Sequence, residues 1–307
     1  MNSIYRRKFD ISKTLIVAGT SRSGSTWLAE IISAAPGNVQ IFEPLHLSHV
    51  KEARQVGFTS DSFIDPETDW PEGKEFMKRV LGGCVLTPWT TSQIPIVETK
   101  NASRLVVKFV NANMLLGWIA FNFPVKPPAL IIRHPCAVVA SESKRFKLLT
   151  DINFLLNHPF FDRHPHLKES CRGLKHPEEV RALVWCMRYY APLALSAPYP
   201  FVLISYEALV RRGKEELSRL YKTWNLSMPE KTLNLLHHAS KTAARDSSIL
   251  LNKDPLMGWK NELTKKQVTN ILNVVNLFGL NFYSEEIEPD YERLLQSFDI
   301  IALNRKD

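Results

Sequence analysis

Residues 15–27 read LIVAGTSRSGSTW and decide the organisation of the chain. The apolar letters LIVA predict a buried strand, the glycine- and serine-rich letters after them a tight loop, and the remainder the start of a helix. Such a turn aims backbone N–H groups and a helix N-terminus at one point, which suits a phosphate. Gly19 and Gly24 are spaced as in the nucleotide-triphosphate loop GxxxxGK[ST]. However, Ser25 occupies the lysine position, and the cation, Arg22, lies inside the loop.

The composition is that of a globular protein with a mildly basic surface. The 307 residues are 45% hydrophobic and 23% charged, and the formal net charge is +8. A positive charge favours a polyanionic ligand, an acidic partner or a membrane surface, whereas the lack of a basic stripe interleaved with aromatics argues against nucleic acid. No apolar run has the length of a transmembrane helix and no signal-peptide core is evident, so we expect a cytoplasmic protein. The four scattered cysteines are expected to be free thiols.

Strand and helix patterns alternate along the chain, which predicts a parallel sheet flanked by helices. We expect strands at Ile11–Ala18, Val39–Phe42, Arg104–Phe109, Ala129–Arg133 and Phe201–Ser205. Helices are expected at Thr26–Ala35, Gly73–Leu81, Met114–Phe121, Ala137–Lys147 and Glu178–Leu195. No linker divides the sequence, so the predicted fold is a single α/β domain over residues 1–307, with a three-layer, P-loop-type parallel sheet. Two loop-rich insertions, at about 45–103 and 149–176, and a C-terminal helical part at about 214–307 complete the prediction.

The first loop has the donors of a phosphate site but lacks the parts of a magnesium-dependent one. Gly24 permits close approach of the backbone, and Ser23, Ser25 and Thr26 add hydroxyl groups beside the charge of Arg22. Magnesium-dependent phosphoryl transfer normally uses a loop lysine and an aspartate at a strand end, and neither is evident here. The sequence therefore favours a nucleotide site that does not need a metal, although a simple helix cap remains the alternative for a Gly/Ser loop.

The letters RSGSTW, residues 22–27, resemble the 5′-phosphosulfate loop of the sulfotransferases that use 3′-phosphoadenosine 5′-phosphosulfate (PAPS). This resemblance implies that PAPS, and its product 3′-phosphoadenosine 5′-phosphate (PAP), bind at the loop through Arg22, Ser23, Gly24, Ser25 and Thr26. It also places Trp27 where cytosolic members stack an aromatic ring on adenine. The alternative for Trp27 is a core residue on the apolar face of the helix.

A second stretch, LIIRHPCAVVASESKRF at residues 130–146, resembles the 3′-phosphate segment of the same family. Arg133 and Ser141 are eight residues apart, as in that segment. The arginine leaves a strand end and the serine lies about two turns into the next helix, so both can converge on one phosphate. His134 departs from the usual Asp or Asn and is assigned no role. Lys144 and Arg145 are expected to belong to a solvated helix face.

Two weaker stretches support the resemblance. FVLISYEALV, residues 201–210, is similar to the strand and YEDL stretch of the family, and GWKNELT, residues 258–264, resembles its G-x-W-K segment, which closes over the nucleotide. The resemblance thus implies nucleotide contacts by Trp259 and Lys260, and by the nearby Lys253. The R-K-G triplet of cytosolic members is missing.

The resemblance also implies catalytic roles for three residues. Arg22 would face the leaving 5′-phosphate, and Lys108 matches a strand lysine that cytosolic members use at the sulfonate; a lysine reaching to solvent from a strand edge is the alternative. The histidine base of cytosolic members is replaced by Val110, so Glu43 is the predicted base, with His46 and His49 as second choices. For Glu43 the alternative is a structural ion pair with Arg22. Burial beside an apolar wall can raise the pKa of a carboxyl and so suit it to act as a base.

Together these stretches imply, by resemblance, a PAPS-dependent sulfotransferase that needs no metal. The wording FEPLH, residues 42–46, is similar to carbohydrate sulfotransferases and favours a small-molecule or glycan hydroxyl acceptor. Alternatives are a P-loop kinase or NTPase, which the serine at the lysine position disfavours, and a non-catalytic nucleotide-binding protein. The histidine-containing insertion matches no structural zinc spacing, so we expect no metal there. The sequence leaves the oligomeric state open.

Overall fold

The structure, a computed structural model, describes residues 8–94, 102–110, 112–147, 151–194, 201–238 and 254–295. Its centre is a parallel sheet of five strands in the order β2–β3–β1–β4–β5. The strands are β1 (Leu15–Ala18), β2 (Asn38–Phe42), β3 (Arg104–Phe109), β4 (Ala129–Ile132) and β5 (Val202–Ser205). The predicted parallel α/β sheet is therefore confirmed. The first strand is shorter than predicted, because Ile11–Lys13 forms a 3-10 turn capped by Asp10.

Helices follow the strands and cover the sheet. They are α1 (Ser25–Ser33), α2 (Lys51–Val56), α3 (Pro71–Leu81), α4 (Leu116–Asn122), α5 (Pro135–Arg145), α6 (Ile152–Leu156), α7 (Pro159–Arg163), α8 (Pro165–Cys171), α9 (Pro177–Ala194), α10 (Tyr206–Arg211), α11 (Gly213–Thr223), α12 (Glu230–Asn234), α13 (Gly258–Glu262) and α14 (Lys265–Leu277). Further 3-10 turns lie at Asn113–Leu115 and Leu235–His237. In the described ranges no helix is both long and apolar enough to cross a membrane.

The sheet divides two apolar clusters. All four residues of β1 are fully buried, and they alternate between the clusters: Leu15 and Val17 join one, Ile16 and Ala18 the other. A strand covered on both faces reads as a continuous apolar run, which is the pattern LIVA. The predicted three-layer arrangement is confirmed by these two faces. All four cysteines are free.

The second insertion differs from the loop-rich stretch predicted at 149–176, because α6, α7 and α8 occupy most of it. Asp151 and His158 cap the first two of these helices through their side chains, and Pro159 and Pro165 stand in the first turns of the last two. Proline breaks a helix interior but favours a helix start, where its missing N–H costs nothing. The prolines and histidines of this stretch therefore start helices. His158 also reaches Asp61 O through Nε2, at 2.8 Å.

The first insertion contains the predicted helix, α3, and one that was not predicted, α2. It is tied to the second insertion and to α9 by charged groups. Arg188 of α9 donates to both carboxylate oxygens of Asp61, at 2.6 and 2.9 Å. Nearby, Arg163 pairs with Asp65. These contacts hold the two insertions together.

Candidate active site

The register of the sheet brings together residues that are far apart in sequence. Lys108 in β3 pairs with Phe42 of β2 on one side and with Val17 of β1 on the other. Neighbouring strands lie about 4.8 Å apart. The end of β2, where Glu43 follows, and the loop that begins at Gly19 after β1 therefore flank the same lysine. Carboxyl ends of parallel strands are also where α/β sheets bind ligands.

The loop after β1 is held in a strained, closely packed form. Arg22 and Gly24 have positive φ angles of 65° and 91°. A Cβ on Gly24 would lie 2.5 Å from Cδ2 of Tyr206, so the position requires glycine both for its backbone and for its packing. Ser23 is turned inward, and its Oγ donates to Thr20 O at 2.7 Å. The packing against Tyr206 and the Ser23 hydrogen bond therefore hold the loop in a backbone conformation that is strained at Arg22.

The N-terminus of α1 has no side-chain cap among the described residues. Its N-cap is Gly24, which has no side chain to accept from the first N–H groups, and no other described side chain caps them. Ser25 and Thr26 lie in the first turn, as predicted. Unpaired N–H groups at the start of a helix of nine residues favour an anion.

Arg22, Arg133 and Ser141 converge from three separate segments. Arg22 Nε donates to Ser141 Oγ at 2.8 Å, and Arg133 Nη1 donates to the carbonyl oxygen of Arg22 at 3.0 Å. The Arg133 guanidinium lies 4.3 Å from the ring centroid of Tyr206, and its Nε is buried without a partner in the described part of the chain. The structure thus brings together the predicted 5′-phosphosulfate and 3′-phosphate residues.

The electrostatics of this cluster favour an anion. Burial lowers the pKa of Arg22, and the positive charges of Arg145 and Arg133 lower it further, whereas Glu142 opposes the shift. Arg145, one helical turn beyond Ser141, thus adds to the field at Arg22, while Lys144 pairs with Glu262 on α13 at 2.6 Å. An anion with two or more charges would relieve the repulsion among these arginines.

Glu43 and Lys108 form a buried ion pair, whereas the alternative from sequence paired Glu43 with Arg22. The backbone N–H of Glu43 donates to Lys108 O at 2.9 Å, and Glu43 itself has a positive φ of 44°. The Lys108 side chain is only 2% exposed, so it does not reach to solvent. Burial lowers the pKa of its ammonium, and the Glu43 carboxylate opposes that shift. A carboxylate and an ammonium in contact at a strained strand end can exchange a proton with a ligand, and they lie one strand away from the loop that holds Arg22.

An aromatic wall, formed by Phe42, His46, His49 and Trp89, stands next to this ion pair. Trp89 stacks on His49 with ring centroids 4.0 Å apart, and lies 4.8 Å from His46 and 5.3 Å from Phe42. Lys108 Nζ is 4.8 Å from the centroid of Phe42, which joins the wall to the ion pair. Burial lowers the pKa of His46 and so favours its neutral imidazole. Sequence reasoning placed the histidines here but missed Trp89.

Trp27 is placed in the core between α1 and the 3-10 turn at 235–237. It is 6% exposed, its Nε1 donates to Leu235 O at 3.3 Å, and its ring meets Tyr206 edge-on at 5.8 Å. This is the packing that the core alternative describes. The adenine contact stays a prediction.

The C-terminal candidates lie on and before α13. Trp259 is 4% exposed and stacks on His134, and Lys260 Nζ is 5.5 Å from the Trp259 ring. Lys253 lies outside the described residues. Arg133 Nη2 donates to Pro255 O at 3.2 Å, so this segment touches the arginine cluster directly.

Three buried side chains that support the site were not predicted. Glu207 accepts from the backbone N–H of His134 at 2.8 Å and from Tyr283 OH at 3.0 Å. Tyr189 OH donates to Ile131 O at 2.8 Å and lies 3.4 Å from Thr20 N in the loop. His134 itself caps α5. In a sequence these residues look like ordinary positions of core helices, because their partners are distant in the chain.

No family model matches the chain, and no curated protein matches it either. Solved structures that resemble it include the sulfotransferase domain from the Synechococcus PCC 7002 olefin synthase, with 17% identity, 92% of this chain and 98% of that chain covered, and a TM-score of 0.47. A sulfotransferase domain from the curacin biosynthetic pathway has 18% identity, coverage of 87% and 96%, and a TM-score of 0.46. A mouse sulfotransferase complexed with PAP has 13% identity, coverage of 96% and 92%, and a TM-score of 0.46.

Proposed function

We propose that the protein is a sulfotransferase that moves the sulfuryl group of PAPS to an acceptor hydroxyl. The observation that carries this proposal is the meeting of two groups at one edge of the sheet. One is the cluster of Arg22, Arg133 and Ser141 beside the N-terminus of α1. The other is the acid–base pair of Glu43 and Lys108, which lies one strand away.

The arginine cluster fits a nucleotide with phosphate groups at both ends of its ribose. The loop and the N–H groups of α1 would hold the 5′-phosphosulfate, with Arg22 at the bridging oxygen. Arg133 and Ser141 would hold the 3′-phosphate. The buried Nε of Arg133, which has no partner among the described residues, is a donor that such a ligand would satisfy. Two anionic groups would also offset the repulsion that Arg133 and Arg145 exert on Arg22 in the free protein.

Glu43 and Lys108 supply the chemistry at the acceptor. The hydroxyl oxygen bonds to sulfur while its proton passes to the Glu43 carboxylate, and the bond from sulfur to the 5′-phosphate oxygen breaks, which leaves PAP with the electron pair. Lys108 stabilises the charge on the sulfonate oxygens, and Arg22 the charge on the leaving phosphate. In the free protein, the ion pair holds the Glu43 and Lys108 side chains at the strand ends where the transfer would take place.

The two rival functions fit the site less well. A magnesium-dependent kinase or NTPase needs a loop lysine, yet Ser25 stands in its place, and none of the five described strands is followed directly by aspartate. A non-catalytic binding protein does not need a buried ion pair next to its ligand. Burying Lys108 and holding Glu43 at positive φ both cost stability, which favours a chemical role.

The aromatic wall favours a carbohydrate acceptor. Sugar rings present apolar C–H faces that pack on aromatic side chains, while their hydroxyl groups reach polar neighbours. Trp89 and His46 both lie partly exposed, and each has a buried ring nitrogen without a partner among the described residues. A saccharide on this wall would present a hydroxyl to Glu43.

Selective binding of PAP tests the nucleotide assignment. PAP at about 100-fold above its Kd should stabilise the protein by about 2.7 kcal/mol, whereas AMP and ATP should give much smaller shifts in Tm. Arg22→Met should weaken PAP binding by about 10- to 100-fold, because a charge-assisted hydrogen bond is lost. Arg172→Met, which removes an arginine from an exposed pair with Glu169, is the matched control. Equal stabilisation by PAP and AMP would refute the proposal.

Trp89 tests the acceptor class. Trp89→Ala should raise the KM for a saccharide acceptor by about 10-fold with little change in the Kd for PAP, because only the stacking surface is removed. Trp89→Phe keeps an aromatic face, so its KM for the saccharide should stay close to the wild-type value. If the wild-type protein sulfates a planar phenol but no sugar, the carbohydrate assignment is wrong.

A further inference from the structure

His134 lies where the two parts of the proposed nucleotide site meet. Its Nδ1 accepts from the backbone N–H of Cys136 at 3.1 Å, which caps α5. Its Nε2 contacts Ser284 O at 2.9 Å. The ring stacks on Trp259 with centroids 4.5 Å apart and an interplanar angle of 17°, and Tyr283 meets it edge-on at 4.9 Å. One side chain thus joins α5 to two C-terminal segments.

These contacts require one protonation state. Since Cys136 N–H donates to Nδ1, the proton lies on Nε2 and is donated to Ser284 O. Burial lowers the pKa of His134 to about 4, so the ring is neutral at physiological pH. The side chain is also 1% exposed, which excludes water from all of its contacts.

Arg133, the residue next to His134, carries the proposed nucleotide contact. Arg133 donates to Pro255 O, three residues before α13, and His134 holds α13 itself through Trp259. Another tie between α5 and α13, from Lys144 to Glu262, is partly exposed and contributes little. Leu256 and Leu263 also pack this segment into the core, and His134 adds the contact that fixes α13 against the start of α5.

We propose that His134 is a positioning residue, a latch that docks the segment 255–263 beside Arg133 and so completes the nucleotide site. This inference rests on the proposed function for its ligand, but the docking itself does not. An Asp or Asn at this position can accept from Cys136 N–H and cap α5. Neither can stack on Trp259, and neither is long enough to span from Cys136 to Ser284. The imidazole ring therefore caps α5 and also docks the segment 255–263.

The chain contains a matched control. His158 also precedes a proline and caps a helix, with Nδ1 accepting from Phe160 N–H at 3.2 Å and Nε2 at 2.8 Å from the carbonyl oxygen of Asp61. His158→Asn is therefore the same chemical change at a helix start that does not touch Arg133 or α13. His134→Asn and His158→Asn both keep a capping side chain and should both fold.

Hydrogen exchange in the free protein and steady-state kinetics together test the latch. In His134→Asn, the amides of Lys260 and Leu263, which bond to Met257 O and Trp259 O at 3.1 and 3.0 Å, should exchange at least 10-fold faster. The KM for PAPS and the Kd for PAP should rise about 10-fold while kcat at saturating PAPS stays within about twofold, since Glu43 and Lys108 are untouched. His158→Asn should change none of these quantities.

Unchanged exchange in 255–263 upon His134→Asn would overturn the latch, as would an equal effect of His158→Asn. Trp259→Leu removes the stack from the other side and leaves the α5 cap intact, so it should reproduce the exchange change if His134→Asn fails to fold. If the wild-type protein does not bind PAP, the proposed function fails, but the exchange experiment still decides the docking role. A fall in kcat without a change in the Kd for PAP would also contradict the latch.

Discussion

Glu43→Gln is expected to lower kcat for sulfuryl transfer by about 10²- to 10⁴-fold, the usual contribution of a general base. Glutamine has nearly the same size and can still accept from Lys108, so the strained turn and the neighbouring strands should keep their form. What is lost is the carboxylate that takes the acceptor proton. The Kd for PAP should stay within about threefold, because the arginine cluster lies beyond β3, at the ends of β1 and β4. Steady-state assays at saturating PAPS and titration calorimetry with PAP measure the two quantities.

Two further variants make that result specific. Glu52→Gln changes another ion-paired glutamate of the first insertion, which contacts Arg79 on α3, and it should leave kcat unchanged. His46→Asn removes the second-choice base and should lower kcat by less than about 10-fold. A large loss in His46→Asn together with a small one in Glu43→Gln would transfer the role of base to the histidine.

The arginine cluster could be predicted from the sequence because each of its parts has a local signal. Arg22 lies in a glycine-rich loop between an apolar strand and a helix, and Arg133 and Ser141 lie at a second junction of the same kind. Parallel strands end at one edge of a sheet, so two such junctions indicate one site. The strands themselves were predicted from continuous apolar runs, since both faces of the sheet are covered.

The partner of Glu43 could not be predicted in the same way, because it depends on the order of the strands. β3 is the third strand in the chain but lies between β2 and β1, so Lys108 stands between Glu43 and the Arg22 loop. Spacing along the sequence does not encode this order. The role of His134 could not be predicted for another reason. Its capping contact is local, but Trp259 and Ser284, which give it a further role, lie more than a hundred residues away.

Asp61→Asn is expected to cause the largest loss of stability among conservative changes near the site. The substitution leaves the Arg188 guanidinium with no bidentate carboxylate, and the arginine side chain is only 13% exposed. Removing one partner of a fully buried pair costs about 3–5 kcal/mol. Glu142 also raises the pKa of Arg188, though by less than Asp61 does, so its charge should compensate in part. The free energy of unfolding should therefore fall by about 2–3 kcal/mol.

Asp65→Asn provides the matched control, because it is the same change in the same insertion against another arginine. Its partner, Arg163, is 62% exposed, so the loss should be below about 1 kcal/mol. Urea titration of both variants measures the difference, and equal losses would show that the Asp61 pair is not a buried clamp. Asp61 also holds His158 through its carbonyl oxygen, and this backbone contact survives the substitution. Loss of stability with an unchanged Kd for PAP would therefore show that the Asp61 pair joins the insertions without being needed for the nucleotide site.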